Sequence, residues 1–308
     1  MAYPLLMAQF LATPWALMPE TLQAFAGILS RKQAGQPADA MTLVKIEEDR
    51  LVREARARET QKQSGGGIAV IPLYGVLTQR GNMVDAVSGP GSTSTQRFDA
   101  ALQDALNDDA VGQILIDIDS PGGSVYGVAE LAAQILSARS QKPVVAIANS
   151  LAASAAYWIG SAASEFYCTP GGEVGSIGVW QAHEDISGAL EADGIKVTLI
   201  SAGKYKVEGN PYQPLGDEAQ SFMQSRVNDY FGSFVEAVAA ARCVKTQDVI
   251  NGMGQGRVIG ASAAAGMNMV DGVMTFDEVL GRMQSRIRPP DKIKASRLSQ
   301  ARNALSLL

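Results

Sequence analysis

VGQILIDIDS at 111–120, PGGSVYGVAELAAQILSARS at 121–140 and QKPVVAIANSLAASAAYWIGSAA at 141–163 decide the fold. The near-continuous apolar run 111–120 predicts a buried strand, and SVYGVAELAAQILSARS (124–140) an amphipathic helix. PVVAIAN (143–149) predicts a second strand, and AASAAYWIGSAA (152–163) a second helix. Strands alternating with helices of this length predict an α/β fold with a largely parallel sheet. The pattern extends outward from there. IAVIPLYGVL (68–77) is an upstream strand and STQRFDAALQDALND (94–108) an amphipathic helix. EFYCT, SIGVW and KVTLIS follow downstream as short strands around one helix near 184–193. DEAQSFMQSRVNDYFGSFVEAVAAAR (217–242) is a long helix with Phe222, Val227, Phe231, Phe234, Val238 and Ala241 on one face. GRVIGASAAAGMNMVDGV (256–273) reads as a strand, a short helix and a final turn.

The ends differ in texture. The first 30 residues are strongly apolar, but the first basic residue is Arg31, which is wrong for a signal peptide. Pro4, Pro14, Pro19 and Glu20 interrupt the run before it reaches the ~20 residues of a membrane span. A docking arm or short helix is expected, with interfacial membrane attachment as the lesser alternative. A polar connector follows and ends in SGGG at 64–67. The expected organisation is an arm and linker over 1–65, one catalytic unit over 66–285, and a basic tail over 286–308 that is mobile or meets a partner. No internal repeat is visible. The net charge of −5 gives no support for nucleic-acid binding. Cys168 and Cys243, 75 residues apart, lack metal-ligand spacing and read as reduced thiols.

Several residues carry possible chemistry. The pair Gly122–Gly123 follows a strand and precedes a helix, where glycine leaves backbone N–H groups uncovered, as an oxyanion hole requires. The same turn is also a common structural device. Asp117 and Asp119 alternate on the strand and are expected to cap the turn or sit at a sheet edge. Ser154 stands among Ala152, Ala153, Ala155 and Ala156, so another backbone can approach closely. It falls in the first turn of its helix, where free N–H groups favour developing negative charge. A packed small residue or an N-cap is the plain alternative, with Ser150 competing for the cap. His183 is the only histidine, and it reads as a helix-start or surface residue rather than a base. Lysine is then the leading base for a serine nucleophile. Lys204 and Lys206 share a face on an extended chain, and periodicity leaves both open. Either must be neutral to act, and lowering a lysine pKa by ~3 units costs about 4 kcal/mol.

IAVIPLYGVL, IDSPGGSV, LAASAAYW, GSIGV (175–179) and GKYKVEGNPY, in that order, resemble the signal peptide peptidase A family of Ser-Lys peptidases. Over residues 66–275 the chain is most similar to its phage branch, the capsid-assembly and head-maturation proteases. The resemblance implies a ClpP/crotonase-like α/β spiral, assembly into a homo-oligomeric ring, and no metal or cofactor. It implies Ser154 as nucleophile and Lys206, three residues after Gly203, as general base in preference to Lys204. Ser176 would orient that lysine, and the N–H groups of Gly123, Gly122 and Ala155 would hold the oxyanion. The implied substrates and neighbours are phage scaffold, capsid and portal proteins, met in the host cytoplasm inside the procapsid, and membrane association is not expected. The alternatives are a bacterial enzyme degrading signal peptides and an inactive structural procapsid component.

Overall fold

A computed structural model describes residues 13–21, 52, 55, 67–80 and 92–287. Apart from residues 52, 55 and 67, the linker ending in SGGG lies outside these residues, as does the basic tail from 288 onward. Strand β1 is Trp15–Leu17, followed by β2 (Ile68–Tyr74), β3 (Val76–Thr78) and β4 (Ser92–Ser94). Helix α1 (Thr95–Asn107) leads to β5 (Gln113–Ser120) and β6 (Gly122–Ser124). Helix α2 (Val128–Ala138), β7 (Val144–Ala153) and α3 (Ala155–Ser161) complete the central stretch. Then come β8 (Glu165–Cys168), β9 (Glu173–Gly175), α4 (Ser187–Ala192) and the long α5 (Asp217–Arg242). The chain continues through α6 (Thr246–Gly252), β10 (Val258–Gly260), α7 (Ala261–Gly266), β11 (Gly272–Val273) and α8 (Phe276–Arg286).

The larger sheet runs β10-β9-β7-β5-β2, with β8 on β7 and β11 on β8. All these pairings are parallel except β10 with β9. The smaller sheet runs β1-β6-β3-β4. The α/β class with mainly parallel strands and flanking helices is therefore what the molecule has. β5 lies between β2 and β7 and is covered on both faces, which explains why QILIDIDS carries so little alternation. Asp117 is consequently not at an edge. It is buried in the central strand, where the Tyr74 hydroxyl and the Asn149 amide donate to its carboxylate.

The single strand expected over 68–77 is two, because Gly75 turns the chain at φ 67° from the larger sheet into the smaller. Gly122–Gly123, read as a turn, and Ser124, read as the first helical residue, together form strand β6. KVTLIS, read as a strand, has no regular structure, and every residue from Glu191 to Lys206 is exposed. SIGVW likewise forms no strand beyond a bridge at Trp180, and the strand here is β9, one turn earlier. The expected apolar face of α5 is buried only in its C-terminal half. Phe234 and Val238 are buried, with Phe234 stacked on Trp158 of α3 at 4.6 Å, while Phe222 is 55% exposed.

Helix α8 closes the far side of the larger sheet through Phe276, Val279, Leu280 and Met283. Its C-terminal turn is tied to β8 where Arg286 bonds the Glu165 carboxylate. That guanidinium holds the Glu165 carboxyl below the usual carboxylate range, against the opposing effect of burial. A depressed folded-state pKa contributes stability that is complete above the unfolded value of about 4.5 and is lost as pH falls through the folded value. The stability difference between the wild type and Glu165→Gln should therefore be constant near neutrality and shrink below about pH 4.5. Thermal melts of both proteins across that range measure it, and a gap that widens in acid contradicts it.

Candidate active site

Ser154 stands between the last residue of β7 and the first of α3, with φ 56° and ψ −118°. A residue with a Cβ visits that region only under constraint, at a cost of about 1–3 kcal/mol. The constraint is visible on both sides. The Ser154 N–H donates to the Gly175 carbonyl at 2.7 Å, and its own carbonyl accepts the first bond of α3 from Trp158 at 3.0 Å. Ala152, Ala153, Ala155 and Ala156 are completely buried around it, and larger side chains would not fit so tight a reversal. A strand that turns sharply through one strained serine into a helix is how hydrolases present a nucleophile. The small residues flanking Ser154 take the place that glycine holds in the usual form of that turn. An N-cap role for Ser154 is not what the structure has: its hydroxyl makes no capping bond and donates, at 3.4 Å, to the Gly178 carbonyl.

The glycine pair is brought to the serine by tertiary contact. A Cβ on Gly122, whose φ is +100°, would lie 3.0 Å from the Ser154 β-carbon and 2.2 Å from the Ala16 carbonyl oxygen. A Cβ on Gly123 would lie 2.0 Å from the Leu77 carbonyl oxygen of β3. Glycine is thus required at both positions by close backbone approach. The edge of β6 is not bare, since β1 pairs along it. Ala155 follows Ser154 directly and is fully buried. Ser176 also has a positive φ, 52°, and its N–H donates to the Arg257 carbonyl at 2.8 Å. It sits one residue beyond the Gly175 carbonyl that pins Ser154, and its hydroxyl makes no hydrogen bond among the described residues.

Lys206 is not joined to Ser154 in the single chain. It is exposed, its backbone N–H donates to Gly203, and its ammonium has no partner among the described residues. Lys204 is different. It forms an ion pair with Glu218 at 2.8 Å and donates to the Tyr205 hydroxyl at 2.7 Å. Glu218 first and Tyr205 second push its pKa upward, which stabilises the ammonium and disfavours the neutral form that a base needs. His183 contacts the Asn210 carbonyl at 3.1 Å, holding the base of the exposed segment. Cys168 is buried, which pushes its thiol pKa up to about 11, and Cys243 is exposed; both are free. No group of metal-ligating side chains occurs among the described residues, and no described helix is long and apolar enough to cross a membrane.

Sequence reasoning missed the role of Trp180. Its backbone forms a two-way antiparallel bridge with Trp15, and its indole N–H donates to the Leu17 carbonyl at 2.9 Å. Nothing in the order of residues signals that pairing, because the partners are 165 positions apart.

Capsid assembly protease C of Escherichia phage lambda is 35% identical over 240 residues, covering 76% of this chain and 53% of that protein. Head-tail preconnector protein GP5 of Enterobacteria phage P21 is 40% identical over 173 residues, covering 56% of this chain and 34% of that protein. The chain thus spans about half the length of the first and about a third of the second. Among solved structures, a ClpP1 variant of Listeria monocytogenes superposes with a TM-score of 0.44 at 15% identity, covering 72% of this chain and 98% of that one. Residues 137–288 match the model of peptidase family S49, and this stretch carries Ser154, Ser176 and Lys206. The chain belongs to peptidase family S49.

Proposed function

We propose that the chain is a serine endopeptidase that cleaves scaffold and capsid-associated proteins during maturation of a phage procapsid in the host cytoplasm. The observation that carries the chemistry is Ser154, the strained turn residue between β7 and α3, with a glycine pair packed against its β-carbon. The kinship with phage capsid-assembly and preconnector proteins supports the substrate class.

In this mechanism Ser154 Oγ attacks the scissile carbonyl as its proton passes to neutral Lys206. N–H groups of Gly123 and Ala155, with Gly122 shaping the turn, stabilise the oxyanion. Lys206 then protonates the leaving amine, and water repeats the sequence on the acyl-enzyme. Ser176 orients the lysine. A general base must come within hydrogen-bond reach of the proton it takes, and Lys206 in one chain points into solvent. The exposed stretch before it carries Ile195, Val197, Leu199 and Ile200, the last 96% exposed. An apolar alternation left without a partner among the described residues suits burial against a second copy in a ring. Such assembly would deliver Lys206 to a serine and desolvate it, which favours the neutral amine.

Two substitutions distinguish the lysines. Lys206→Ala should reduce scaffold cleavage by at least about 10³-fold, whereas Lys204→Ala should retain most of it. Electrophoresis of scaffold incubated with each protein gives the rates, and the reverse order would reject Lys206. If the dyad forms between copies, mixing inactive Ser154→Ala with inactive Lys206→Ala should restore part of the activity. Complete inactivity of the mixture, with assembly intact by light scattering, would place the base within one chain.

A further inference from the structure

Ser154 is only 1% exposed, so an external peptide cannot meet it while the chain is arranged as described. Strand β1 lies on the Gly122 side of the serine. Its pairing with β6 is antiparallel, Trp15 opposite Ser124, Ala16 opposite Gly123 and Leu17 opposite Gly122. On either side of this stretch, Val125 N–H donates to the Pro14 carbonyl at 3.3 Å and Met18 N–H to the Pro121 carbonyl at 3.1 Å. Hydrogen-bonded pairs alternate in an antiparallel ladder, so Ala16 and Gly123 are the bonded pair between those two. Trp15 and Leu17 turn their backbone groups the other way, to Trp180. The strand is therefore held from both edges, and the Ala16 carbonyl is aimed at the glycine pair beside Ser154. The 2.2 Å approach of that oxygen to the absent Gly122 Cβ says the same.

An extended segment clamped along a sheet edge is how peptides are bound by strand addition, with main-chain bonds giving affinity and alternate side chains giving selectivity. We infer that Thr13–Met18 occupies the peptide-binding groove as a substrate-like strand, with the Ala16 carbonyl in the place of the scissile carbonyl. The inference rests on reading Ser154 as the nucleophile. It also gives the substrate class: an extended segment with a small residue opposite Gly123 between two large apolar residues, as Ala16 lies between the buried Trp15 and Leu17. Ala16 is completely buried, which disfavours a larger central residue, and β1 must leave before another segment enters.

Binding tests this without depending on turnover. In a Ser154→Ala background, Trp15→Gly with Leu17→Gly should free the groove. A fluorescein-labelled peptide of residues 11–20, LATPWALMPE, should bind that protein at least about ten-fold tighter than Ser154→Ala alone, read by anisotropy. The same peptide carrying Ala16→Leu should lose the gain. A folded variant, by circular dichroism, that binds neither peptide better would overturn the inference. If the variant does not fold, hydrogen exchange on the Ser154→Ala protein replaces it. Amides of Trp15 and Met18 should exchange well before those of β5, and equal protection would mark β1 as a permanent strand. With Ser154 restored, binding without cleavage would refute the nucleophile and leave the groove standing, while cleavage with unchanged binding would refute the groove and leave the nucleophile.

Discussion

Ser154→Gly is expected to lower peptide-bond cleavage by at least about 10⁴-fold and to melt at a higher temperature than Ser154→Ala. The loss follows from removing the proposed nucleophile, where the residual rate would come only from binding and the proposed oxyanion donors. The stability difference follows from the backbone. At φ 56° and ψ −118° any residue with a Cβ is strained by about 1–3 kcal/mol, and alanine keeps that strain while glycine releases it. Glycine costs about 0.5–1 kcal/mol in the unfolded chain, so the net gain over alanine is roughly 1 kcal/mol. In a protein of this size that corresponds to a rise of about 2–4 °C. Calorimetry of the two inactive proteins measures it directly. A glycine variant less stable than the alanine variant would mean that the turn stores no strain.

Gly123→Ala should lose both the fold of the smaller sheet and the activity. The added methyl would meet the Leu77 carbonyl oxygen at 2.0 Å, with the Leu77 carbonyl carbon and α-carbon each at 2.6 Å. These are backbone atoms, so no side chain can swing away. Either β3 and β6 separate or β6 shifts, and the loss should exceed the 1–3 kcal/mol typical of overpacking with side chains. The same shift moves the N–H proposed to hold the oxyanion. Gly171→Ala is the control, since a methyl there meets nothing within 4 Å. Urea titration should show a large fall in midpoint for the first and almost none for the second. Equal midpoints would mean that the β3–β6 approach is loose.

The layered α/β character was legible because the 111–163 stretch switches period cleanly, from a buried run to helical spacing and back. Helix α5 was bounded correctly because Pro214 and Gly216 precede it and its polar and apolar residues recur at helical spacing. Its buried extent was misjudged, because periodicity marks a face but not what covers it. The strand read at KVTLIS failed for the same reason. Alternation shows that a segment could pair, and here the described chain offers it no neighbour.

The candidate site divides along the same line. Residue order alone singled out Ser154, since four alanines around one serine at a strand-to-helix junction is a local pattern with a local cause. It also drew out the glycine pair, whereas the preference for Lys206 over Lys204 came from the family resemblance of the motif around Gly203, since spacing left both lysines open. Only the tertiary structure decided that Gly122 packs on the serine, that Glu218 holds Lys204 as an ammonium, and that Trp15–Leu17 lies along the glycine strand. These facts join residues 14 to 109 positions apart. Distances across such separations follow from how two sheets meet at the end of β7, and no local propensity encodes that meeting.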